Sequence, residues 1–300
     1  MLTRREFTAG CIAAASLVGE PARRKALIVD GRNNHDWRST SPILKRLLEQ
    51  TGLFTVEFAT APPENTEMEN FLPAFDSANL IVLNYSDFGN GGVWSEKTKS
   101  AFVAAVKDGA GVVVYHAASS AFPDWAEYNR ITGLGGWGGR DERWGPRLYW
   151  KDGAIVRDSS PGKAGHHGPR HPFVVVARQP SHPILAGLPT AWKHSSDELY
   201  DSLRGPAEEL EVLATAWSDP AFAGTGRDEP MLFTVRMGRG RVFHTTLGHD
   251  GEAMQCVGFI TTLQRGAEWA ATGQVTLPCP SDFPTEQQGR ARAPAASAPA

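Results

Sequence analysis

The feature that most limits what this chain can become is a set of short, unbroken apolar runs, each ending on a polar or aromatic residue. KALIVD (Lys25 to Asp30), LIVL (Leu80 to Leu83, within ANLIVLN) and GVVVYH (ending at His116) show no polar/apolar alternation. Each such strand must be covered on both faces, as happens in a parallel sheet flanked by helices. Helical segments separate the runs. Ser41-Pro42 followed by Ile43, Leu44, Leu47 and Leu48, with Gly52 as the stop, places a proline in the first turn of a helix. Ser95 caps a second helix that turns Phe102, Val103 and Val106 inward, and Gly109 and Gly111 lead into GVVVYH. Phe54 to Phe58 forms a further strand. Val212 to Ala216, Met231 to Val235 and Arg241 to Thr246 follow later, before a closing helix over about Glu252 to Ala271. The predicted class is α/β, a parallel sheet with helices on both faces.

The two ends of the chain fall outside that pattern. Residues 1–23 carry Arg4-Arg5, Phe7 and a weakly apolar run from Gly10 to Val18, too short to span a bilayer. This pattern reads as a twin-arginine export signal, which implies a periplasmic or extracellular mature protein with no integral membrane segment after its removal. An ordinary amphipathic N-terminus is the plainer alternative. Residues 281–300 end in EQQGRARAPAASAPA and are predicted to be a disordered tail, leaving 24–280 as one domain. Thirty basic against 33 acidic residues give a net charge of −3, which supplies no cationic excess for a phosphate backbone, so nucleic acid is not an expected partner. Cys256 and Cys279 remain once the leader is gone; they can pair in an oxidising compartment, but one bridge does not staple a domain of this size.

In an open parallel sheet, ligands bind where loops leave the carboxyl ends of the strands. Here those loops are rich in chemistry. The first strand is followed by Arg32, Asn33, Asn34, His35, Asp36 and Trp37, the third by Asn84, Tyr85, Ser86 and Asp87, and GVVVYH by AASSAFPDWAEY. RVFHTTLGHD ends in His249-Asp250. His116, at a strand end, is the first choice for a general acid or base and His35 the second, because imidazole exchanges protons near neutral pH. A histidine that only holds its loop explains the same positions. Asp124 with Glu127 makes a capping box beside Trp125, a flat wall for a sugar, and Asp250 has a capping explanation as well. The glycine-rich stretch from Gly133 to His171 adds Trp137, Trp144, Arg140 and Arg143, then His166, His167 and His171, which permit a divalent metal without fixing a ligand geometry. His182 before a proline is read as a turn former, and Glu198 in DELY either approaches the crevice or lies on the surface.

The strings NNHDW, VVYHAASSAFPDWAEYNRITGLGGWGGR, HPILAGLP, DELY, EPMLFTV and GRGRVFHTTLGHDGEAMQ, in that order, resemble a ThuA-like (trehalose utilisation) domain over roughly Lys25 to Gly273. The resemblance implies a flavodoxin-like fold similar to the class I glutamine amidotransferases. Those relatives carry a nucleophilic cysteine on the sharp turn that here holds His116, so thiol-dependent amide transfer is not expected. It also implies work on a carbohydrate, with His116 and His35 acting on an oxidised (keto) sugar or glycoside. Asn34, Asp36, Tyr85, Trp125, Trp137, Arg140 and His249 are the expected substrate contacts. The first turn lacks the three-glycine pattern of a dinucleotide site, so no nicotinamide is expected. A non-catalytic carbohydrate-binding domain and a metal-dependent glycoside or ester hydrolase using the histidines are the alternatives.

Overall fold

The computed structural model describes residues 22–89 and 91–292. The apolar runs become neighbouring parallel strands: β1 (Arg24–Asp30), β2 (Phe54–Thr60), β3 (Leu80–Leu83) and β4 (Gly111–Tyr115), in the spatial order β2-β1-β3-β4. Alternate residues of β1 feed two separate cores, Ala26 and Ile28 on one face, Leu27 and Val29 on the other. That division is why the run has no polar positions. Helices α1 (Trp37–Glu49) and α4 (Val257–Thr272) cover the first face, and α2 (Glu96–Asp108) and α3 (Ala126–Thr132) the second. Truncating Ile28, fully buried between β1 and its covering helices, to alanine is expected to cost about 2–5 kcal/mol.

The purely parallel sheet expected from the sequence is not what forms. Beyond β4 lies β11 (Gly240–Thr245), still parallel, and from there the sheet turns antiparallel through β10 (Arg227–Met237), β9 (Leu210–Ser218), β7 (Val174–Ala177) and β8 (Ala191–Lys193). A ribbon of β5 (Arg147–Lys151) and β6 (Ala154–Asp158) hangs from β10. The eleven-stranded sheet is therefore mixed. The physical reason is the tight Gly238-Arg239 turn between β10 and β11. Gly238 takes φ +59°, as a two-residue hairpin turn with glycine first demands, and a hairpin can only join antiparallel strands.

Smaller corrections follow the same local logic. α1 starts at Trp37, with Asp36 accepting from Ser39 N, so Pro42 lies inside the helix instead of in its first turn. Ser95 caps α2 as expected, whereas α3 has no side-chain cap, and Asp124 is not one. The closing helix begins at Val257, after a short 3-10 turn over Ala253–Gln255. Part of the expected disordered tail is docked: Val257 N donates to Arg290 O, and Arg292 pairs with Asp282. Residues 293–300 and residues 1–21, most of the expected export signal over 1–23, lie outside the described residues. Cys256 and Cys279 are free thiols, and no helix among the described residues is long and apolar enough to cross a membrane.

Candidate active site at the ends of the parallel strands

Three strand ends and one loop deliver four side chains to a single point. His35 comes from the loop after β1, His116 directly follows β4, His249 lies beyond β11, and Glu198 is carried by the long connection between β8 and β9. His116 sits at φ +44°, a left-handed conformation that costs a residue with a Cβ about 1–2 kcal/mol. The chain thus turns sharply straight after β4. The ring centroids of His35 lie 4.9 Å from those of both His116 and His249, edge to face.

Glu198 is the hub. Its Oε2 is 3.0 Å from His249 Nδ1, 3.6 Å from His116 Nε2, and 3.7 Å from both His35 Nε2 and His167 Nε2. One ligand-capable atom from each of His35, His116, Glu198 and His249 lies within 4.8 Å of all the others, so these residues can hold a metal ion. Burial works to raise the Glu198 carboxyl, but the imidazoles of His116, His249 and His35 outweigh it and hold the group far below the usual carboxylate range. Burial lowers His35, only partly opposed by Glu198. For His249 burial is again the largest influence and lowers it, yet Glu198 and the nearby aspartates carry it above its ordinary value.

The backbone that presents two of these side chains is tied to a third acid. Asp197, fully buried, accepts from Glu198 N at 2.8 Å and His249 N at 3.1 Å on Oδ1, and from Gly248 N and His194 Nε2, each at 2.7 Å, on Oδ2. A single carboxylate thus fixes the β8–β9 connection to the turn after β11. Charge-assisted bonds of this kind are about twice as strong as neutral ones.

Above the hub opens a cavity of about 390 Å³, a size suited to a small ligand. Asn34, Asp36, Trp137 and His249, four of the expected substrate contacts, are among the residues that line it, as is His35. Tyr200, which the sequence reading overlooked, lines it too: its ring packs 4.3 Å from His116 and 4.6 Å from Trp137, and its hydroxyl reaches His35 Nε2 at 3.4 Å. Glycine is required behind Trp137. A Cβ on Gly165 would stand 2.6 Å from Trp137 N, and one on Gly136 would stand 2.7 Å from the Gly165 Cα.

Other expected contacts are elsewhere. The Arg140 guanidinium is buried and donates to the carbonyls of Ser120, Ala121 and Gly136 and to Asn129 Oδ1, so it braces the loops and faces no substrate. Tyr85 is buried with its hydroxyl on Gly92 O, and Trp125 packs among Trp94, Phe122 and Tyr128; neither reaches the cavity. Among the histidines considered for a metal, His166 turns to Asp201 at 3.1 Å and His171 stacks on Phe222 at 3.9 Å. Only His167 faces the hub. Asp250 caps the turn before α4 by accepting from Glu252 N and Ala253 N, and it pairs with Arg170.

Residues 25–270 match the ThuA family, described as trehalose utilisation. A ThuA-like protein from Parabacteroides merdae is 47% identical, with a TM-score of 0.87 over 91% of this chain and 98% of that one. A second, from Bacteroides uniformis, is 16% identical with a TM-score of 0.51 over 86% and 97%, a likeness of fold alone. No curated protein matches the chain.

Proposed function

Because the chain belongs to the ThuA family, related to trehalose utilisation, we propose that it is an enzyme of carbohydrate metabolism acting on a sugar or glycoside that carries a ketone. The observation that supports this reading is the convergence of His35, His116, His249 and Glu198 beneath a cavity walled by Trp137 and Tyr200. A ketone acidifies the neighbouring C–H. A base removes that proton, its electron pair becomes a C=C bond as the glycosidic C–O bond breaks, and the departing oxygen takes up a proton. The enolate oxygen formed on the way needs a positive or hydrogen-bonding partner. Imidazole nitrogens at one hollow would supply the base and the hydrogen-bonding partner, while Trp137 and Tyr200 offer flat faces to the ring.

Export through the Arg4-Arg5 leader belongs to the same proposal and would have the enzyme meet its substrate outside the cytoplasm. Incubation with 3-keto-glycosides, followed by product analysis, tests the reading. Turnover is expected in the parent protein and its loss in His116→Ala. Saturable sugar binding with no product would make the protein a carbohydrate-binding domain instead.

A further inference from the structure

With its imidazoles neutral, the hub turns several lone pairs toward one carboxylate. His116 Nδ1 lies 2.6 Å from Thr246 O, and a carbonyl only accepts, so Nδ1 carries a proton, and in the neutral ring Nε2 presents a lone pair. His167 is fixed the same way, its Nδ1 on Gly168 O at 2.9 Å, with its Nε2 turned to Glu198. Both lone pairs face Glu198 Oε2, which is itself an acceptor. His116 Nε2, His249 Nδ1 and Glu198 Oε2 are all buried without a hydrogen-bond partner among the described residues, and His116 is only 1% exposed. Buried polar atoms left in this state are rare in native proteins and point to a missing ion or water. A proton on His249 Nδ1 satisfies one contact and leaves His116 Nε2 facing a carboxylate.

We propose that His35 Nε2, His116 Nε2, His249 Nδ1 and Glu198 Oε2 bind one divalent first-row transition-metal ion. Bonds of about 2.0–2.2 Å to nitrogen and oxygen place neighbouring ligand atoms of a tetrahedral site roughly 3.3 Å apart. The separations of 3.0, 3.6 and 3.7 Å about Glu198 Oε2 bracket that value. The support behind the ligands is of the kind metal sites use, a carbonyl fixing the tautomer of His116 and the Asp197 carboxylate fixing the backbone of both Glu198 and His249. Three imidazoles and one carboxylate suit a zinc- or cobalt-like ion, and all-oxygen magnesium or calcium chemistry does not fit them. A substrate oxygen would enter from the cavity beside Trp137 as a fifth ligand. There the ion would polarise a carbonyl and stabilise the enolate, and with His35, His116 and His249 as ligands the base would be His167, whose Nε2 faces the hub without being a ligand.

This inference rests on the proposed reading only in sharing its residues, and its test needs no substrate. The full chain, stripped with chelator, is titrated calorimetrically with Zn²⁺, Co²⁺ and Mg²⁺, and its metal content is measured after dialysis against Zn²⁺. One Zn²⁺ or Co²⁺ per chain is expected, with weak or no Mg²⁺ binding, and a visible Co²⁺ absorption band of low-coordinate type. Glu198→Gln is expected to lose stoichiometric binding while keeping the parent's circular dichroism; if it fails to fold, the Co²⁺ band of the parent protein decides. No transition-metal binding by the folded parent, or full binding by folded Glu198→Gln, overturns the site. Keto-glycoside turnover by metal-free protein would remove the metal from catalysis and leave the enzyme reading standing. Stoichiometric metal without turnover would do the reverse.

Discussion

Replacing Asp197 by asparagine tests whether one buried carboxylate organises the centre. The amide keeps the shape and retains Oδ1 for Glu198 N and His249 N, but an NH2 group now faces Gly248 N–H and His194 Nε2. His194 can change tautomer to accept, whereas the Gly248 N–H is left against another donor. An orphaned buried amide costs about 1–3 kcal/mol, and exchanging a charge-assisted bond for a neutral one costs about another 1 kcal/mol. The expected loss is therefore about 3 kcal/mol, a large share of the ~5–15 kcal/mol that holds a typical domain together. Urea denaturation of chelator-treated parent and variant measures this directly. In the folded variant, Zn²⁺ affinity is expected to fall ~10–100-fold, the effect usual for residues that orient ligands from behind. A stability change below about 1 kcal/mol together with unchanged Zn²⁺ affinity would refute the reasoning, since it would mean that the centre needs neither the charge of Asp197 nor its Oδ2 bonds to Gly248 and His194.

Two further outcomes follow from buried charges away from the centre. Burial pushes the Glu229 carboxyl up to about 7. A folded-state value above the unfolded one means that the native protein holds the extra proton, so stability is greatest below pH ~4.5 for this group and falls by about 3 kcal/mol as pH rises through 7. Glu229→Gln should flatten that slope in denaturation curves recorded between pH 5 and 8; an unchanged slope assigns it to other groups. Arg140→Lys is expected to lower stability by several kcal/mol, roughly 3 or more, because a three-donor ammonium cannot reproduce the planar guanidinium that satisfies three carbonyls and Asn129. Thermal melts that coincide for the two proteins would show that the loops carry themselves.

The strands buried on both faces were legible because burial removes polar residues from them, and the loops at their ends were legible because topology sends ligands there. His35, His116 and His249 were found on that argument. Glu198, Asp197 and Tyr200 were not selected, since the β8–β9 connection has no periodicity to say which way its side chains turn; DELY offered an acid pair beside an aromatic and nothing more. Arg140 misled for the opposite reason. In a glycine-rich loop it looked free to meet a ligand, yet unpaired backbone carbonyls packed nearby are what claim it. The antiparallel half is legible as well. Between Leu210 and Thr245 the sequence has three strand patterns and no helix, and parallel strands cannot be joined without a long crossover.

The position of β11 has a consequence for how the protein is made. This strand is the last of the sheet to leave the ribosome, yet it seats itself in the middle, between β4 and β10. Until residue 245 has emerged, the nascent chain presents an apolar, unpaired β4 edge of the kind that recruits other chains. His249 arrives only afterwards. Chains truncated before β11 should accordingly aggregate and lack the complete cluster, so that an assembled cluster certifies a finished sheet.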